Sequence, residues 1–261
     1  IKRFYNSSMV RSDLVIAGSN FIFSHINENY PEFFLDNGRK MRVIFRGINT
    51  EYYDSLAVDN LKVISLRKKW KLKEEDHVIL MPGRLTGWKG QEVFIEAINI
   101  LNSIENEKPF VGVILGSDQG RKVYYKKLQS LVDKYRLSKK IIFVSSCDNM
   151  PAAYKLAHVV VSASIEPEAF GRVSVEAQSM RVPIVATNLG GSKETIVDEK
   201  TGFLVKSKEP KILAEKLKNV LNLDNNLLQS IGLEGRKNIL KKFDVEKMCK
   251  ATLAEYKKIL I

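Results

Sequence analysis

From about residue 77 onward, short β-branched and aliphatic runs alternate with amphipathic stretches, a pattern that admits few folds other than βαβ units feeding a parallel sheet. The runs are HVILMP, FVGVIL, IIFV, VVVSA, PIVAT and GFLV. Apolar residues at three- and four-residue steps predict helices over 91–104, 122–135, 150–157 and 170–180, and over 209–221 after the last strand. The expected fold class is therefore α/β: a Rossmann-like parallel sheet covered by helices on both faces.

Upstream, DLVIAGS and RVIFRG read as two more strands, with a helical NFIFSHINENY between them and a break at Pro31 and Gly38. They predict a partial second Rossmann-like domain. The first residue is Ile1, and the strand pattern begins almost at once, as expected for a piece of a longer chain. Downstream, 225–242 and 244–261 read as two closing helices.

Composition narrows the class. With 44% hydrophobic and 28% charged residues over 261 positions, the chain is suited to globular packing rather than disorder. No apolar run reaches the ~20 residues of a membrane helix, and the N-terminus lacks a secretory pattern, so the chain reads as soluble. Cys147 and Cys249 lie far apart with no CxxC spacing, which argues against a disulfide framework or structural zinc and for a reducing cytoplasm. The net charge of +12 is spread over 67–73, 121–140 and 236–258 and reads as solvated surface. Nothing in the sequence supports a nucleic-acid partner: zinc-finger spacing, RNA-binding aromatics and a basic arm are all missing.

In open parallel sheets ligands bind beyond the carboxyl ends of the strands. Here the loops at those ends are GRLTGWKG, GSDQG, SSCDN, SIEPEAFG and NLGG. Glycines such as Gly83 and Gly116 permit close backbone approach, and Arg84 and Lys89 add two cations before a helix, so the first loop suits an anion. Neither a Walker A loop nor GxGxxG is present. In EAFGRVSVE, Gly171-Arg172-Val173 opens a helix whose free N–H groups suit a phosphate. Glu176 inside that helix is placed to accept ribose hydroxyls, and Glu168 before it faces the far side of the phosphates. A glycosidase acid pair is the other reading of two carboxylates, but it leaves the cations and glycine loops without a task.

In order, GRLTGWKG with FIEAI, LGSDQGR, IIFVSS, AYKLAHVVVSAS, EAFGRVSVE with AQSMRVPIVAT, and NLGGSKETIVDEKTGFLV resemble the C-terminal, donor-binding domain of retaining GT-B glycosyltransferases of family 4. The resemblance implies three parts: 1–49 as the end of the acceptor domain and the crossing segment, 50–242 as the nucleotide-sugar donor domain, and 243–261 as a helix returning to the first domain. Most of the acceptor domain lies outside the chain on that reading.

The same resemblance implies site roles. Arg84 and Lys89 would hold the diphosphate, and the backbone of Phe170, Gly171, Arg172 and Val173 the sugar or distal phosphate. Glu176 would hold the ribose and Glu168 a hexose hydroxyl; Ser146 and Cys147 belong to the loop that cradles the base. Arg84, Lys89 and Glu168 are thus the expected catalytic set. Gly83 and Gly116 join the donor-binding set.

The implied activity is transfer of a hexose-type sugar from a nucleotide-diphosphate sugar to a glycan or lipid-linked acceptor, with retention. It fits assembly of a cell-envelope glycan or glycolipid such as lipopolysaccharide, with the basic helices allowing peripheral contact with an anionic membrane from the cytoplasmic side. No DxD pair occurs, and Glu74 and Asp76 precede the first strand of this domain, so no metal and no cofactor are expected. The alternatives are a GT-B-like sugar-nucleotide epimerase, a phosphorylase, or a non-catalytic nucleotide-sugar binding module.

Three positions depart from the family pattern. Arg181 stands where a glycine usually ends the helix in a left-handed turn, a substitution that costs about 1 kcal/mol unless the turn is rebuilt. His158 replaces a common aspartate and reads as structural. Asn49 replaces another in the crossing segment.

Overall fold

Alternation along one strand sets the layering. In β3 (His77–Pro82) of the computed structural model, Ile79 and Met81 enter one core while Val78 and Leu80 enter the other. The structure describes residues 6–35, 40–104 and 108–260, and Gly38 lies outside them. β3 is flanked by β4 (Phe110–Leu115) and β6 (Val159–Ser162); β5 (Ile141–Val144), β7 (Ile184–Thr187) and β8 (Phe203–Val205) complete a parallel sheet. Its order is β5-β4-β3-β6-β7-β8. The chain therefore reverses direction across the sheet between β3 and β6, which opens a crevice at their carboxyl ends.

The first core packs α4 (Gln91–Ser103), α5 (Lys122–Lys134) and α9 (Pro210–Leu221) on one face, through residues such as Phe94, Leu128 and Leu217. The second packs α3 (Asn60–Lys69), α6 (Met150–Leu156), α7 (Arg172–Ser179) and α10 (Asn225–Lys242) on the other, through Leu66, Tyr154, Val175 and Ile239. All six expected strands of this sheet are present with ends shifted by at most a residue. Neither α3 nor the single turn α8 (Ser192–Thr195) was anticipated, α3 because its sequence runs into the 67–73 basic stretch.

Upstream, β1 (Leu14–Ala17) pairs in parallel with β2 (Lys40–Val43), separated by α1 (Asn20–Asn29) and the single turn α2 (Glu32–Leu35). The second strand begins before RVIFRG and its ladder stops at Val43, although Ile44 and Arg46 still donate to Ala17 and Gly18 carbonyls. The chain then crosses at Gly47, where a Cβ would lie 2.4 Å from the Val245 Cα. Ile48 is bonded on both sides to the junction between α10 and α11 (Val245–Leu260), through Phe243 O and Val245 N. Thr50 donates to Asp244 at 2.6 Å, and Arg42 of β2 pairs with Glu255 of α11. The Asn49 side chain accepts from the amides of Glu51 and Tyr52, as an aspartate there would.

The turn after α7 is not rebuilt around Arg181. Arg181 N–H bonds Gln178 O and Val182 N–H bonds Ala177 O, a Schellman closure, with Arg181 itself at φ +59°. Its guanidinium offsets the strain by binding Asp54 at 2.5 Å and Ser55 at 2.9 Å. Arg236, expected as solvated surface, is instead buried and shares Asp54.

His158 sits at the start of β6, away from the carboxyl rim, where its Nδ1 accepts from Val78 N–H at 2.9 Å. Burial, with His77, Arg67 and Lys108 nearby, pulls its pKa down to about 4. The unfolded chain binds the proton more readily, so stability is complete above the unfolded pKa of about 6.5 and falls as pH drops toward 4. The wild type is expected to lose about 3 kcal/mol over that window through this residue alone. His158→Asn, which keeps an acceptor for Val78, should flatten that segment of the pH–stability curve; urea melts at several pH values give the comparison.

Candidate functional site

Two loops set the cations at the rim. Gly83 N–H bonds Leu115 O, and the chain then makes a 3-10 turn over Gly87–Lys89 closed by Gly90. Gly90 is left-handed at φ +77°, and a Cβ on it would lie 1.9 Å from the Ala163 carbonyl, so only glycine lets this turn press against the end of β6. Lys89 is thereby held at the crevice, its ammonium 4.4 Å from the Trp88 ring centroid. Gln91 donates to Arg84 O and accepts from the Tyr124 hydroxyl, which fixes the loop from below. The Arg84 side chain is exposed and makes no ion pair among the described residues.

Glu168 is buried before α7 and held by three donors. Lys89 Nζ lies 2.8 Å from Oε1, Ser164 Oγ bonds the same oxygen, and Ser162 Oγ approaches at 3.4 Å. Its backbone carbonyl accepts from Gly191 N–H, so the NLGG loop supports it from behind. The same edge meets the upstream unit: Ser19 Oγ donates to Ala169 O, and Glu194 accepts from the amides of Asn20 and Phe21 at the start of α1.

Glu176 is the second buried acid. With Gly171 as the left-handed N-cap of α7, Glu176 stands one turn inside the helix and accepts from Arg172 Nε at 2.7 Å and Tyr154 Oη at 2.7 Å. The Tyr53 phenol stands beside the same carboxylate, brought there by the loop between Ile48 and α3. Burial first, and then the Glu176 charge, raise the pKa of both phenols, so both stay protonated as donors.

The two acids open onto two joined hollows. One, of about 590 Å³, contains Glu168, Phe170 and Gly171 and is walled by Arg46 and Met248 of the crossing segment and α11. The other, of about 560 Å³, contains Glu176, Gly83, Gly116, Ser146, Cys147 and Val173. Arg84, Lys89 and Arg172 line both, so three cations stand at the neck between two chambers that each hold one buried acid. Cys147 is a thiol donating to Asn149 O, with burial raising its pKa.

The structure thus brings every sequence-derived site residue to one cleft, but in a pairing the sequence did not foresee. Lys89 and Arg172 are each matched to an acid, where Lys89 had been expected to face an anion alone. Ser162, Ser164, Tyr53 and Tyr154 were not singled out; Ser164 lies inside the quoted SIEPEAFG loop, and a tyrosine on a short helix otherwise rich in small residues was the signal for Tyr154. Among the described residues no three His, Cys, Asp or Glu side chains are grouped as a metal site. No described helix is long and apolar enough to cross a membrane.

Residues 63–238 match the family model described as glycosyl transferases group 1. An uncharacterized glycosyltransferase of Methanocaldococcus jannaschii is 30% identical over 220 residues, which cover 84% of this chain and 54% of that protein. The crystal structure of a glycosyltransferase from Rickettsia africae superposes with a TM-score of 0.89 at 32% identity, over 99% of this chain and 66% of that one. Anabaena HepE, crystallised in complex with UDP and glucose, superposes with a TM-score of 0.84 at 22% identity, over 98% of this chain and 66% of that one, and shares the fold. The chain spans about half the length of the curated relatives it matches.

Proposed function

The chain belongs to the glycosyl transferases group 1 family and has its GT-B fold, and from this we propose that it forms the donor half of a glycosyltransferase acting on a nucleotide-diphosphate sugar. The observation that carries this reading is the neck of cations between two buried acids. Charge accumulates on a diphosphate as its bond to sugar breaks, and fixed cations with a helix start stabilise it as a metal ion otherwise does. Arg84, Lys89 and the backbone opening of α7 at Gly171 take that part.

On one side, Glu176 accepts ribose hydroxyls, with the base reaching toward Ser146 and Cys147. On the other, Glu168 accepts a hydroxyl of a hexose. Anabaena HepE, which shares the fold, was crystallised with UDP and glucose, and this supports a ligand of that chemical class. Transfer goes with retention to a glycan or lipid-linked acceptor and needs no metal. Residues 1–49 are the end of an acceptor domain with the crossing segment, 50–242 the donor domain and 243–261 the returning helix; the Arg42–Glu255 pair and the Ile48 bonds support that division.

Calorimetric titration with UDP, GDP, ADP and their hexose conjugates in the presence of chelator tests the reading. One nucleotide and its sugar conjugate are expected to bind, with affinity unchanged by added magnesium. Absence of binding by all of them refutes the donor site, and binding that requires the metal refutes its metal independence.

A further inference from the structure

Resting on that donor reading, we infer that the Arg172 side chain is an additional donor-binding group that exchanges partners: paired with Glu176 here, it turns to the diphosphate when donor occupies the cleft. Four observations lead to this. Arg172 lines both chambers beside Arg84 and Lys89, so it belongs to the stretch of wall where a diphosphate joining the two would lie. It is the first residue of α7, and its side chain is 76% exposed, so nothing packs it into one rotamer. Its pair with Glu176 is an i,i+4 contact made through Nε and open to water on the arginine side, so the guanidinium can turn away without displacing packed side chains.

Glu176 for its part is 6% exposed and keeps a buried donor when Arg172 turns away. Tyr154 donates to its other oxygen and the Tyr53 phenol stands beside it, so the carboxylate stays hydrogen-bonded after the arginine leaves. The oxygen released is Oε1, the acceptor then available to a ribose hydroxyl. A diphosphate recruits the freed guanidinium in bidentate fashion, which a lysine cannot reproduce fully. The exchange thus links recognition of the nucleoside to recognition of the phosphates, because each half of the ligand takes one member of the Arg172–Glu176 pair.

The test compares Arg172→Leu and Arg172→Lys with wild type, using whichever of UDP, GDP or ADP binds most tightly and its matched nucleoside as probes. Circular dichroism melts establish that the variants are folded, as expected for an exposed first position of a helix. The leucine variant should bind the diphosphate about tenfold or more weakly, bind the nucleoside as well as wild type or slightly better, and the lysine variant should fall between. Unchanged diphosphate affinity overturns the inference. So does an equal loss for nucleoside and diphosphate, which would make Arg172 only a support for Glu176. Failure of wild type to bind any of the three nucleotides is a different result, and refutes the donor reading itself.

Discussion

Lys89→Ala is expected to weaken nucleoside diphosphate binding by about a hundredfold and to leave the complete enzyme without measurable sugar transfer. Lys89 stands at the neck between the chambers and is the most enclosed of the three cations there, with a side chain only 15% exposed. A charge held in so dry a place interacts more strongly than a surface lysine does. Its loss removes stabilisation from the diphosphate both as bound and as leaving group, so binding and turnover should fall together. The nucleoside, gripped by Glu176 and the 145–149 loop, should bind nearly as before. Equal losses for nucleoside and diphosphate would contradict the assignment.

That experiment has a confounding route, which the structure identifies. Removing Lys89 leaves Glu168 buried with only Ser164 and Ser162 as donors, and an uncompensated buried carboxylate destabilises a fold by about 3 kcal/mol. The double variant Lys89→Met with Glu168→Gln removes both charges and should recover most of the lost stability, yet not the diphosphate affinity. Thermal melts and calorimetry on the single and double variants separate the two effects. Recovery of binding in the double variant would show that Lys89 acts only by neutralising Glu168.

How far the site could be read from sequence follows from what each feature depends on. The six strands were legible because β3 and its neighbours are buried on both faces, and a doubly buried strand has to be written as a continuous apolar run. Once the strands were placed, the rim loops followed from connectivity, which is why Arg84, Lys89, Glu168 and Glu176 arrive in one cleft. Side-chain partnership was not legible. Lys89 and Glu168 are 79 residues apart, and nothing local to either position states that they meet. Tyr53 reaches Glu176 only because the loop between Ile48 and α3 folds back over α7, a tertiary fact. α3 escaped notice because its basic residues interrupt its apolar spacing and Leu66 is its one buried residue. Arg181 shows the reverse: the resemblance marked its position as left-handed, as it is, while the Asp54 that offsets it lies 127 residues away.

The same long-range link supports the second large effect, Arg236→Met, expected to destabilise the chain by about 3 kcal/mol. Arg236 is 8% exposed, and its Nη1 donates to Tyr53 O at 2.6 Å, Ser179 O at 3.0 Å and Ser179 Oγ at 2.7 Å. Nη2 bonds Asp54, which Arg181 holds from the other side. Methionine fills comparable space but donates nothing, so the Ser179 carbonyl at the end of α7 loses its arginine bond and Asp54 keeps a single cation. A melting temperature lower by roughly 10 °C is the expected reading, because this cluster joins the Tyr53–Asp54 loop, α7 and α10 at one point. Tyr53 carries the disturbance onward: its carbonyl loses the arginine bond and keeps only the one from Ser179 Oγ, and its phenol stands beside Glu176. Nucleoside affinity should therefore fall several-fold in Arg236→Met at temperatures where the variant is still folded, although Arg236 lines neither chamber. A variant that melts near wild type would show that the buried arginine is replaceable by apolar packing, and full nucleoside affinity in a destabilised variant would show that Tyr53 is held in place without it, by the Ser179 Oγ bond and its ring contacts with Tyr52 and Tyr154.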